Sequence, residues 1–215
     1  MTPDLKSSTK PTIEIVAPNP NWPQQFETIA KQIRAVVGST VERIDHVGST
    51  AVAGLAAKDI IDIQLTVTDI DDHDIIERLK DAGFEHKADV KNDLLVGVDD
   101  DSPQLRKHYF KVNSFKVNSF KANSFKSSDS NISAHIHIRQ QGRLNQQYPL
   151  VFRDYLRSDA VTREAYSTIK KELATRFNGD KAAYYAIKDP YMDTIYQAAM
   201  LWVKSVDWRA DDVFV

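Results

Sequence analysis

Three stretches of this chain of 215 residues carry side chains whose types and spacing can do chemistry. The first runs from Ile44 to Leu65 as IDHVGSTAVAGLAAKDIIDIQL. A strand that ends at Gly48-Ser49 and turns through small residues into a helix presents the Ser49 and Thr50 hydroxyls beside free backbone N–H groups. Such an arrangement favours an anion. Asp62, on the strand that follows, can hold a divalent ion against that anion. The chemistry on offer is a phosphate clamp facing a metal. Lys58 precedes the Asp62 strand, either to neutralise a phosphate or as a solvated loop lysine. His46 shares a strand face with Ile44 and Gly48, where a structural role and a substrate contact are both open.

The second stretch is Ile132 to Arg139. Strand side chains alternate, so His135, His137 and Arg139 share one face. His108 and Arg106 share a face of the preceding strand by the same rule. The histidines read as metal ligands, as donors to a phosphate, or as solvent-facing or hydrogen-bonded structural residues. In the third stretch Tyr184 and Lys188 stand at i and i+4 on one helix face. Lys188 there either reaches a triphosphate or pairs with a surface acid. The adjacent Arg153 and Asp154 suit an ion pair between domains, and Trp22, Trp202 and Trp208 suit packing.

Composition removes several classes of protein. Hydrophobic residues make up 42% and charged residues 27%, enough for a real core in one large domain or two small ones. The absence of cysteine excludes thiol nucleophiles, disulfide scaffolds, zinc ribbons and iron–sulfur clusters. No glycine-rich phosphate loop is present among the seven glycines. A formal charge of −2 argues against a nucleic-acid binder built on bulk charge. Residues 104–150 nevertheless hold eight Lys or Arg against Asp129 alone, after an acidic run from Asp69 to Asp101. These are either oppositely charged solvated faces or a basic wall that attracts an anionic substrate. The opening MTPDLKSSTKP lacks an apolar signal core, and no stretch reaches the roughly 20 apolar residues of a membrane span. The expectation is a cytoplasmic protein.

The elements that must position these groups follow from periodicity. Ile13 and Ile15 suggest a short strand. Asn21 is placed to cap a helix through Trp22, Phe26, Ile29, Ile33 and Val37, which Gly38 stops. Strands are expected at 41–47, 60–67, 94–98, 107–112 and 132–139. A short helix or turn is expected at 50–57, a helix from Asp72 to Gly83, and helical structure from about Gln146 onward. The organisation is a leader (1–11), an α/β core (12–145) and a helical C-terminal part (146–215), an α+β fold overall. Within the core, FKVNS, FKVNS, FKANS and FKSS repeat in tandem from Phe110. Five residues are too few for a solenoid unit, and an odd period sends successive Phe residues to opposite faces of a strand. The repeat reads as an expansion, spanning about 110–128, between two core strands.

The first stretch resembles the nucleotidyltransferase-fold pattern of an apolar residue, Gly and Gly or Ser, a spacer, then two carboxylates alternating with apolar residues. Val47-Gly48-Ser49 and Asp62-Ile63 fit, while Gln64 stands where the second carboxylate belongs. An amide can ligate a metal through its carbonyl oxygen but brings no charge. The whole chain is more closely similar to the GrpB family. NPNWPQQF (19–26), the Ile44–Leu65 stretch, LRKHYF (105–110), AHIHIR (134–139), LVFRDYLRSD (150–159), YSTIKKELATRF (166–177) and YYAIKDPY (184–191) follow that family's order. The pentapeptide repeat is not part of it. The resemblance implies a nucleotidyltransferase-like mixed sheet flanked by helices with a C-terminal helical cap. Fusion of such domains to dephospho-CoA kinase in some bacteria points toward nucleotide or cofactor metabolism. The implied ligand is a nucleotide or phosphorylated small molecule held by Gly48, Ser49 and Thr50. Asp62 and Gln64 would anchor Mg²⁺, or Mn²⁺ as the alternative, with His135 and His137 helping. Arg106, Lys107 and Arg139 would offset charge on a leaving pyrophosphate. The alternative is a non-catalytic binding module on the same fold, and nucleic acid is not the expected partner.

Overall fold

The computed structural model describes residues 12–115 and 132–210. The leader and the repeat units from residue 116 lie outside the described residues. Five strands form one mixed sheet: β1 (Arg43–Val47), β2 (Ile61–Val67), β3 (Glu85–His86), β4 (Lys107–Phe115) and β5 (Ile132–Gln140). Their order across the sheet is β1-β2-β5-β4-β3. β2 and β5 run parallel, with Asp62 opposite His135 and Gln64 opposite His137, and the other neighbours are antiparallel.

Alternation gives the sheet two different faces. Ile44, Ile61, Ile63, Leu65, Phe110, Ile136 and Ile138 point to one side and are buried with Ile29, Ile33, Ile75 and Leu79. Those last residues come from α1 (Trp22–Val37) and α2 (His73–Asp81). The apolar stripe of α1 recurs every three or four residues, as a helix with one buried face requires. Gly38 ends that helix at φ 61°, a conformation that costs glycine little. The opposite face carries Asp62, His135, His137, Arg139, Lys107 and Tyr109. It looks toward α3 (Leu144–Ser158), α4 (Ala160–Arg176) and α5 (Lys181–Ser205). These helices pack on a second core that includes Val52, Leu55, Phe152, Tyr166 and Tyr196. Arg153, fully buried on α3, pairs with the adjacent Asp154 and donates to the His46 carbonyl at 3.0 Å. The expected ion pair is therefore internal to α3, and the arginine ties that helix to β1 through the backbone.

Three local expectations are corrected. Ile13 and Ile15 form no strand; the segment makes a single bridge between Val16 and Ala57. Asn21 occupies the position before α1 but already has helical dihedrals, so its side chain makes no cap bond. The short helix or turn expected at 50–57 is present as a 3₁₀ helix at Ser49–Ala51 and a turn at 53–54. Residues 94–98 are turns, with Leu94 and Val96 exposed, and β3 takes the sheet edge instead. An apolar run without a neighbouring strand edge has nothing to pair with, whatever its composition.

Candidate functional site

A cleft of about 520 Å³ lies between the second face of the sheet and helices α3 to α5. Its floor is the turn after β1. Gly48 sits at φ 72°, and a Cβ built there would collide with the Asp62 carboxylate and lie 3.0 Å from the Asp62 Cβ. Only glycine lets this turn approach β2 so closely. Gly48→Ala is accordingly expected to destabilise the protein by about 1–3 kcal/mol through backbone strain and to displace Asp62. A thermal melt together with ligand titration checks this.

Cations gather at one end. Lys170 of α4 is buried, with its Nζ 2.8 Å from Ser49 Oγ and 2.5 Å from the Ala56 carbonyl oxygen. Burial, reinforced by the nearby Lys188 and Lys58, pulls its pKa down to about 7. Lys58 donates to the Tyr185 hydroxyl at 2.5 Å, and Lys188 pairs with Asp189. The Tyr184 hydroxyl is buried beside them with no hydrogen-bond partner. Opposite stands Asp62, whose Oδ1 is 3.3 Å from His135 Nδ1 and 3.9 Å from His137 Nε2. Burial favours the neutral acid, but the two imidazoles outweigh it and hold this carboxyl well below the usual carboxylate range. Burial and the Arg139 charge push His137 down to about 4, so that ring is neutral at pH 7.

The basic wall has a different structure from the one expected. Asp93 accepts two hydrogen bonds from Arg139, at 2.8 and 2.9 Å, and one from Lys107 at 2.6 Å. Asn145 Nδ2 adds a fourth donor at 3.0 Å. Burial opposes the charge of Asp93, but Arg139 and Lys107 hold it firmly ionised. Two of the three cations assigned to a pyrophosphate are thus already matched by this carboxylate. The third, Arg106, pairs with Asp71 on the surface and does not line the cleft.

Gly48, Ser49, Thr50, Lys58, Asp62, Lys107, His135, His137, Arg139 and Lys188 all line the cleft. Thr50 brings a hydroxyl already engaged by His46 and the Ile60 carbonyl. Three other expected residues are placed elsewhere. His46 points into the first core, stacked on Phe26 with ring centroids 4.8 Å apart. His108 lies on the same far side, bonded to the Ile70 carbonyl, because it alternates with Tyr109 rather than joining it. Gln64 is fully buried beneath the cleft; its oxygen accepts from Arg139 and its amide donates to the Gln146 carbonyl. Both ends are engaged, and Gln64 is not among the residues that line the cleft. The residues missed are Lys170 and Asp93. Lys170 did leave a signal, since it falls in the stripe of Tyr166, Leu173 and Ala174, where a lysine must be buried or bonded.

The donor set is a poor match for magnesium. Mg²⁺ prefers octahedral oxygen ligands, and among the described residues Asp62 stands beside two imidazoles rather than beside a second carboxylate. Among the described residues no three His, Asp or Glu side chains are grouped to hold a metal ion.

A mixed sheet with a Gly-Ser turn against an aspartate strand, flanked by helices and followed by a helical C-terminal part, defines an α+β protein. The family model described as GrpB protein matches residues 12–198, so the chain belongs to the GrpB family. The crystal structure of conserved protein GrpB from Enterococcus faecalis superimposes with a TM-score of 0.65 at 25% identity, covering 89% of this chain and 99% of that one. A dephospho-CoA kinase from Mycolicibacterium paratuberculosis is 32% identical over 92% of this chain and 48% of its own length. One from Mycobacterium tuberculosis H37Rv is 33% identical over 91% and 48%. The chain therefore spans about half the length of these kinases. No described helix is long and apolar enough to cross a membrane.

Proposed function

We propose that the cleft binds a nucleotide or a phosphorylated small molecule, with its phosphates against Ser49 and the lysines Lys58, Lys170 and Lys188. The observation that carries this reading is Lys170, a buried ammonium held against the Ser49 hydroxyl at the closed end of the cleft. Burial first, and then repulsion from Lys188 and Lys58, lower its pKa to about 7. A polyanion relieves that repulsion by joining it. The orphaned Tyr184 hydroxyl supplies a further donor. A nucleotide ligand also suits the cytoplasmic setting expected from the sequence.

Nucleotidyl transfer assisted by Mg²⁺ or Mn²⁺ is the second reading. The ionised Asp62 beside the same turn favours it, while the occupied Gln64 favours the non-catalytic module. A thermal-shift panel separates the two, using tripolyphosphate, the four nucleoside triphosphates and CoA precursors, each with and without Mg²⁺ or Mn²⁺. The binding reading expects shifts that need no metal. Asp62→Asn should then tighten metal-free binding several-fold, roughly the 1 kcal/mol of one removed repulsion at an exposed cleft. A shift seen only with metal, and lost in Asp62→Asn, establishes the transferase reading instead. No shift with any phosphate compound overturns both.

A further inference from the structure

The cleft extends beyond its cationic end, and its far end has a different chemistry. Along α5, Tyr185 and Asp193 lie eight residues apart, about 12 Å at the helical rise. At the far end the Tyr148 hydroxyl donates to Asp193 Oδ1 at 2.9 Å, and the Val96 N–H donates to Oδ2 at 3.0 Å. Tyr148 itself stacks on Tyr196 and Phe152. Leu95 lines the cleft at this end, and Met192 lies between the two ends, its Sδ 2.9 Å from Lys188 Nζ.

Asp193 differs from the other carboxylates that line this cleft in having no arginine, lysine or histidine partner among the described residues. Asp62 has His135 and His137, Asp93 has Arg139 and Lys107, and Asp189 has Lys188. Asp193 has only neutral donors and no cation among the described residues. Each of its oxygens accepts one bond and keeps capacity for another. An acceptor-only group between aromatic and aliphatic walls selects a flat ring that presents a donor.

We propose that the far end takes a nucleobase bearing an exocyclic amino group, which donates to Asp193, while the phosphates occupy the lysine end. This rests on the phosphate-binding reading above and narrows its ligand to amino-bearing nucleotides. About 12 Å between the ends leaves room for the sugar. A purine ring without the amine brings no donor to the remaining lone pairs of Asp193, and uracil brings only an N3–H flanked by two carbonyl acceptors, so the amino-bearing bases gain a bond to a charged acceptor that the others lack or make poorly.

The test is isothermal titration of the full chain with ATP, purine riboside triphosphate (the same ring without the amine), CTP, UTP and tripolyphosphate. ATP and CTP are expected to bind about tenfold or more tightly than purine riboside triphosphate and UTP respectively, the worth of one hydrogen bond to a charged group. Asp193→Asn offers a donor and is expected to shift the preference toward UTP, with tripolyphosphate binding unchanged. If that variant fails to fold, the ATP and purine riboside triphosphate pair on the native protein decides alone. Equal binding of that pair, with tripolyphosphate still bound, overturns the base assignment and leaves the anion site standing. Failure of tripolyphosphate and every triphosphate to bind overturns the phosphate reading and this one with it.

Discussion

Replacing Asp93 by alanine is expected to destabilise the protein by about 2–4 kcal/mol. Breaking one partner out of a buried ion pair typically costs about 3–5 kcal/mol, because the other charge stays behind unpaired. Here two cations stay behind, with Lys107 9% and Arg139 7% exposed, while the carboxylate is 21% exposed and somewhat screened. For a chain of this size the loss corresponds to a melting temperature roughly 5–15 °C lower. The pH dependence has a definite sign. The Asp93 pKa is lowered in the folded state, so its contribution is complete above the ordinary carboxylate range and is lost as pH falls below it. The native protein should lose stability on acidification below about pH 4, and Asp93→Asn should flatten that limb. Chemical denaturation at several pH values checks both statements. An Asp93→Ala melt within a degree of the native one contradicts the ion-pair account.

Lys170→Met should act in the opposite direction on stability while removing binding. A lysine with its pKa lowered to about 7 holds fewer protons folded than unfolded between that pH and the ordinary lysine value near 10.4. Its destabilising effect is complete below about pH 7 and fades as pH rises toward the ordinary value. The methionine variant is expected to melt higher than the native protein at pH 7, by an amount on the order of 1–3 kcal/mol, with the gain shrinking toward pH 10. Tripolyphosphate affinity should fall about 10- to 100-fold, the loss of a charge-assisted hydrogen bond. A variant that is more stable yet no longer binds separates a ligand-holding lysine from a structural one. Loss of stability with binding intact refutes the role given to Lys170.

Much of this site was legible because strands alternate with a period of two. Once Asp62 and the His135–His137 pair each stood on a strand, only pairing was needed to join them, and β2 against β5 does so in register. The same period misled at His46 and His108. Each shares its face with apolar residues, Ile44 in one case and Phe110 in the other, and those apolar neighbours mark the core side. Asp93 left no trace, being one acid within an acidic stretch whose partners are Lys107, Arg139 and Asn145. Gln64 was recognised as a departure from the two-carboxylate pattern, yet its engagement with the Arg139 side chain and the Gln146 carbonyl depends on groups 75 and 82 residues away. Local periodicity holds no information about such contacts.

The cleft is stitched together by contacts between remote parts of the chain. Lys170 reaches Ser49 across 121 residues, and Arg153 reaches the His46 carbonyl across 107. The parallel pairing of Ile61 with Ala134 closes a shorter but still long stretch of 73 residues. Such topology folds slowly, since the entropy of closing long chain segments is lost before their contacts form. During synthesis from the ribosome, β2 and the Ser49 turn emerge well before β5 or α4 exist to complete them. No partly folded fragment therefore displays a working pocket, and a ligand meets either the finished chain or none. Occupancy and completion of the fold become a single equilibrium, so a bound phosphate compound protects the sheet and the helices from proteolysis and hydrogen exchange together.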